Sequence, residues 1–288
     1  MRGTRLPTIA VLLVHDPDGR YIGPFEERQT GFSAYEAVFA AVTQTTHPAL
    51  VGALDRSGAI ICITRPAEVG VSQRSVLDLV GRHVGSAGVL SCDFDRWLHW
   101  RGTFPDELES VPVQIATMRP APWYVCVGRT ARAFATHPLV QRRAESATNR
   151  ALRSASGKRL DATAGACWLS PKGLDLVLAE SVERTKATDL EWPGIILRAD
   201  RRRLGGIRTE GLEFETSEFY GEEVRAVGGI ASWLTTTYDQ PAMWRDRLRL
   251  AADSVGALTR VLDDALAWSD EATHPPFQEQ RIHDGPAI

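Results

Sequence analysis

The chain reads as an α+β or α/β protein: a mixed β-sheet with several β-hairpins, flanking helices and a long C-terminal helix. Three observations predict it. Short apolar runs rich in β-branched residues recur along the sequence, as buried strands do. Three of these runs are followed by a tetrapeptide ending in glycine (Asp16-Pro17-Asp18-Gly19, Asp55-Arg56-Ser57-Gly58 and Ser170-Pro171-Lys172-Gly173), which is hairpin-turn chemistry. Residues 241–268 contain no internal proline and carry apolar residues in steps of four and three.

Taken in order, Thr8–Val14 is a buried strand and residues 20–25 return as a second one. Ser33 and Glu36 form a capping box that opens a helix with Tyr35, Val38, Phe39 and Val42 on one face, ended by His47-Pro48. Residues 49–54 and 59–64 make a second hairpin. Ser72 caps a helix with Val76, Leu77, Val80 and Val84 inward. Residues 89–94 form a strand. Residues 95–122, with four prolines, are mostly loop with a strand near 113–118, and residues 123–127 are a strand. Pro138 suits the first turn of a helix over 139–156, and Gly157 stops it. Residues 163–169 and 174–180 make the third hairpin. Short strands at 195–198 and 211–215 flank an arginine–glycine loop, and 224–237 is a strand or a strand pair.

The 288 residues are 43% hydrophobic and 24% charged, with a net charge of −3, so the chain is globular rather than disordered. One compact domain fits this length, and so do halves over 1–128 and 129–268 followed by a mobile tail, 269–288. The apolar run at the N-terminus is too short to cross a membrane and no cleavage site follows it. The four cysteines are widely spaced among apolar neighbours, which excludes a C-x-x-C zinc site and suits buried thiols in a reducing, cytoplasmic compartment. P-loop, G-x-G-x-x-G and G-x-S-x-G signatures are all absent. Only Lys158, Lys172 and Lys186 are lysines, so any lysine chemistry must use one of three residues.

Charge is unevenly spread. Residues 129–159 hold eight basic residues against the single acid Glu145, and 198–208 hold five arginines against Asp200. If the two segments converge they form a phosphate-binding surface, because guanidinium groups grip phosphate bidentately. Arg142, Arg143 and Arg150 are the candidates in the first segment, and Arg201, Arg202 and Arg203 in the second, beside the backbone-exposing Gly205-Gly206. Asp93 and Asp95 end a strand in a D-x-D pattern suited to a divalent ion such as Mg²⁺, and His99 follows one helical turn later. Asp16 ends the first strand, and with Asp93 and Asp95 it completes a candidate metal set if those strands are neighbours. Trp97 and Trp100 would fill core or stack on bases. Glu213 and Glu215 alternate as paired glutamates do in some transferases.

Two functions follow. One is the binding or processing of a nucleotide or nucleic acid, with Asp93, Asp95 and His99 catalysing metal-dependent phosphoester chemistry. The other is a non-catalytic sensing or interaction module that forms a homodimer through Trp244, Leu248, Val255, Leu258 and Leu262.

Overall fold

In the computed structural model, which describes residues 6–64, 68–83 and 85–270, the apolar run Thr8–Val14 forms strand β1, as its composition dictates. Six more strands pair with it: β2 (Ala37–Thr43), β3 (Ile60–Thr64), β4 (Gly88–Asp93), β5 (Tyr124–Arg129), β6 (Ala166–Leu169) and β7 (Leu204–Thr209). The sheet order is β3-β2-β1-β4-β6-β5-β7. Every pairing is parallel except those of β6, which runs antiparallel between β4 and β5. This is the expected mixed sheet with flanking helices.

The helices lie where parallel neighbours require crossovers. They are α1 (Ile22–Arg28), α2 (Pro48–Arg56), α3 (Val69–Gly81), α4 (Phe94–Thr103), α5 (Pro105–Thr117), α6 (Ala131–Thr136), α7 (Leu139–Ser156), α8 (Pro171–Glu180) and α9 (Thr188–Asp200). After β7 come α10 (Thr216–Phe219), α11 (Gly221–Ala226), α12 (Ile230–Tyr238) and α13 (Pro241–Asp270).

One arm of each expected hairpin is a helix: the second arm of the first and third, and the first arm of the second, whose other arm is β3. Residues 20–25 run into α1, 49–54 lie in α2, and 174–180 lie in α8. Ser170-Pro171-Lys172-Gly173 shows why. Ser170 Oγ accepts a hydrogen bond from Gly173 N at 3.1 Å and Pro171 occupies the first helical position, so the tetrapeptide starts a helix instead of reversing a strand. The helix expected from Ser33 is β2, because Ala37–Thr43 is buried on both faces and a doubly buried strand shows no alternation. Residues 95–122 are mainly α4 and α5, with Pro105 at a helix start; the expected strand at 113–118 falls in α5. Residues 195–198 are part of α9, and 224–237 fall in α11 and α12. Helix α7 has the expected bounds, and Gly157 closes it at φ 67°.

Side-chain alternation along the strands sends alternate residues into two core layers. Ala10, Leu12 and Val14 of β1 pack with α1, α2, α4 and α5; Ile9 and Val11 pack on the other face with α3, α8, α9 and α13. Trp97 and Trp100 are fully buried in the first layer, so they are core and not a stacking platform. Cys92, Cys126 and Cys167 are buried free thiols, and Cys62 is half-buried.

Helix α13 packs against α9 and α7. Leu258 is 3% exposed, and Val255 and Leu262 join the same layer. Leu248, 53% exposed, lies off that face. The residues expected to form a dimer seam are therefore largely spent inside the chain. The side chain of Ala265 and the tail over 271–288 lie outside the described residues. No helix among the described residues is long and apolar enough to cross a membrane.

Candidate functional site

Strand order reverses between β1 and β4, and ligands of open α/β sheets bind outside the carboxyl ends of strands at such a reversal. Here β1 and β4 pair with Leu13 opposite Asp93. A cleft of about 380 Å³ opens at this edge, within the size range of small-molecule sites. Asp16, Asp93 and Asp95 all line it. A narrower chamber of about 70 Å³ adjoins it, and Leu13, Gln73, Asp93 and Lys186 line both.

Asp16 is 2% exposed. Its two oxygens accept the backbone N–H groups of Arg20 and Tyr21, each at 2.9 Å. It shapes the turn between β1 and α1, so its carboxylate is already committed. That turn carries His15 and Asp18 into the cleft. Opposite them stands Tyr220, whose ring lies 4.2 Å from the Arg20 guanidinium carbon; Arg20 also pairs with Glu223 at 2.7 Å.

Asp93 ends β4 and Asp95 lies in the first turn of α4. Asp93 faces two cations: Lys186 Nζ is 3.7 Å from its Oδ2, and Arg96 Nε is 3.8 Å from it. This close approach depends on Gly165, at φ 72°, where an added Cβ would stand 2.7 Å from Asp93 Oδ2. Burial, then the negative charges of Glu215 and Asp93, push Asp95 up to about 7. Glu215 is itself buried, and its Oε2 has no hydrogen-bond partner among the described residues.

Among the described residues no three His, Cys, Asp or Glu side chains gather as a ready-made metal cage. The carboxylates at Asp93 and Asp95 nevertheless fit a cation of the Mg²⁺ type. Such ions need only one or two protein carboxylates when phosphate oxygens and water complete the shell, and the raised Asp95 marks negative charge that a cation would neutralise.

The narrower chamber is lined by Glu145, Asp189, Thr148, Thr163 and Ser254, with Arg247 from α13. Asp189 lies in the first turn of α9. Burial pushes it up to about 7, with Lys186 opposing the shift and Asp93 adding to it. Behind the chamber, Arg129 is wholly buried, hydrogen-bonded to Asp161 at 2.8 and 2.9 Å and ion-paired with Glu145 at 2.7 Å. Burial alone would raise Asp161; Arg129 overrides it and holds that carboxyl well below the usual range.

The other expected residues lie elsewhere. His99 is outside both chambers, with Nδ1 at 2.6 Å from Glu218 and Nε2 at 3.3 Å from Glu213. Burial opposes its charge, but those carboxylates raise its pKa, so it is an ionic clamp between α4 and the 213–218 segment. Arg201, Arg202 and Arg203 sit at the opposite, amino edge of β5 and β7, where Arg203 O accepts Trp123 N and Asp200 pairs with Arg202 and Arg203. Gly205 and Gly206 belong to β7 and pair with Val125 and Cys126, so they do not cradle an anion. Arg142 Nε donates to His137 O at 2.9 Å, and Arg143 is exposed on α7. Arg150 lines a separate groove.

The site residues missed in the sequence are Lys186, Asp189, Gln73 and Tyr220. Lys186 was legible only as one of three lysines; Asp189, Gln73 and Tyr220 carry no local signature.

No protein-family model matches the chain, and no curated protein matches it in sequence. Solved structures do resemble it. Mannosyl-3-phosphoglycerate synthase from Rubrobacter xylanophilus superposes with a TM-score of 0.54 at 12% identity, covering 96% of this chain and 79% of that one. Glucosyl-3-phosphoglycerate synthase from Mycobacterium tuberculosis, in complex with Mn²⁺, uridine diphosphate and phosphoglyceric acid, superposes with a TM-score of 0.51 at 12% identity over 70% of this chain and 68% of that one. The same enzyme with Mn²⁺, uridine-diphosphate-glucose and phosphoglyceric acid gives 0.50 at 11% identity, covering 87% and 80%. At these identities the likeness is one of fold: this chain shares the α/β architecture of those synthases.

Proposed function

We propose that the chain is a glycosyltransferase that takes its sugar from a nucleoside diphosphate sugar and delivers it to a hydroxyl acceptor. One observation carries the reading: the Asp93-x-Asp95 pair stands at the carboxyl edge where strand order reverses, with a nucleotide-sized cleft on one side and a narrower polar chamber on the other. The fold likeness to enzymes holding Mn²⁺ and uridine diphosphate supports it. Phosphoester hydrolysis, expected from the carboxylates alone, gives way to group transfer at the sugar.

In this reading the base and ribose lie between the His15–Asp18 turn and Tyr220. Asp93 and Asp95 hold a divalent cation, which would neutralise charge on the departing diphosphate. Lys186 and Arg96, beside Asp93 Oδ2, would add fixed positive charge near the same diphosphate. The acceptor occupies the narrower chamber. Its hydroxyl attacks the anomeric carbon, the bond to the diphosphate oxygen breaks, and the hydroxyl proton passes to Asp189. A carboxylate with a pKa near 7 is suited to receive it.

The test is transfer from a panel of nucleoside diphosphate sugars with Mn²⁺, compared in Asp93→Asn and Asp95→Asn. Turnover should fall by roughly 10²-fold or more with circular dichroism unchanged. Transfer that persists in both variants, or a wild-type protein that binds no nucleoside diphosphate, would sink the proposal.

A further inference from the structure

The two basic segments of the sequence contribute arginines to a common groove away from the cleft. A groove of about 280 Å³ lies between the outer face of α7, the start of α6 and the end of β7. It shares no lining residue with either chamber. Arg150 and Arg153 line it from successive turns of α7, Arg159 from the stretch leading to β6, and Arg208 from β7.

These four charges are not neutralised. Arg208 donates to two backbone carbonyls, Arg129 O at 2.9 Å and Arg159 O at 3.3 Å, so it is fixed in place while keeping its full charge. Arg150, Arg153 and Arg159 make no side-chain hydrogen bond or ion pair among the described residues. The one acid in the groove is Asp161, and its oxygens are taken by Arg129 and by Asn149 at 2.8 Å. Arg129 also contributes to the lining, and its buried Nη1 has no hydrogen-bond partner among the described residues. Four guanidinium groups around one concavity repel one another, and an anion with several oxygens relieves that repulsion while taking bidentate hydrogen bonds.

We propose that this groove is a second, non-catalytic ligand site that takes a small molecule bearing one or two phosphate groups. Its size favours a small ligand over a polymer. The only aromatic ring in its lining, Phe134, is already covered by the Arg129 guanidinium 4.7 Å from its centroid, so no free ring awaits a nucleic acid base.

Calorimetric titration with inorganic pyrophosphate, at low salt and without divalent cations, tests the site independently of any transferase activity. The wild type should bind, and its affinity should fall with added NaCl. Arg150→Gln/Arg153→Gln, a double change at exposed positions, should weaken binding by roughly tenfold or more, while Lys186→Gln in the cleft should leave it unchanged. The proposal is overturned if the wild type does not bind. It is equally overturned if the loss appears in Lys186→Gln and not in the double variant, or if a single-stranded oligonucleotide binds the wild type more tightly than pyrophosphate and loses that advantage in the double variant.

Discussion

Asp189 is held where its proton is easily gained and lost, and both consequences can be measured. An unfolded aspartate titrates near 3.9, whereas in the fold burial pushes Asp189 up to about 7. A raised folded pKa means that its contribution to stability is fully present below about pH 4 and is lost as pH rises through about 7. Asp189→Asn should therefore melt higher than wild type at pH 8, with the gain gone at pH 4. If Asp189 is the base, the same variant loses kcat by about 10²-fold or more, keeps nucleotide affinity, and lacks the wild-type rise in rate through about pH 7. A rate profile unchanged by the substitution would exclude that role. Arg129 shows the opposite design. It is wholly buried, and Asp161 and Glu145 depend on it. Arg129→Met leaves buried Asp161 without its cation and Glu145 with only Arg247 at 3.9 Å, and should cost about 3–5 kcal/mol in urea unfolding. Arg202→Ala breaks an exposed pair with Asp200 and should leave the urea midpoint essentially where it is.

Among the elements, α13 has the least ambiguous sequence and the least obvious use. Its apolar spacing suits a core helix and a dimer seam equally, because periodicity reports an apolar face and not what covers it. The cover is α9 and α7. At Gly194 of α9 an added Cβ would come within 3.0 Å of Leu258 Cδ1, a measure of how closely the two helices approach. Leu258→Ala should then destabilise the chain by about 2–4 kcal/mol with no change in sedimentation mass. A change in mass at constant stability would instead restore the seam. At 49–54 the tetrapeptide Asp55-Arg56-Ser57-Gly58 closes α2, with Ser57 as its C-cap; the helical arms at 20–25 and 174–180 have another cause. A polar start, a proline and a glycine serve a tight strand reversal and a helix N-terminus alike. The reversal is excluded because both edges of β1 and both edges of β6 are taken by other strands.

At the scale of the whole molecule, the cleft gathers side chains distant in sequence: His15 and Asp18 after β1, Gln73 on α3, Asp93 and Asp95 around the end of β4, Lys186 before α9, and Tyr220 after β7. A ligand spanning them ties the sheet edge to the 210–240 segment, so binding should stabilise the entire fold by mass action. Because the two carboxylates make no complete cage, Mn²⁺ alone should move the melting temperature little. Nucleoside diphosphate with Mn²⁺ should raise it by several degrees, the scale of a ligand at about a hundred times its Kd. An equal shift from Mn²⁺ alone would point to a metal site complete without nucleotide.

The sequence by itself determined the class of fold, the strands β1 and β4, the helices α7 and α13, and the D-x-D pair at a strand end. Each rests on interactions within a few residues: apolar period, capping chemistry, a glycine stop. It also marked two basic segments. Tertiary structure alone decided which of their arginines meet, bringing Arg208 to Arg150, Arg153 and Arg159 while leaving Arg201–Arg203 at the far edge of the sheet. It decided that Asp16 holds a turn, that His99 clamps a helix, and that Lys186 and Asp189 share a chamber with Asp93. The physical reason is strand order. Paired residues in this sheet lie up to 80 positions apart in the chain, as Leu13 and Asp93 do, and no local pattern encodes which strand edge a crossover helix will return to.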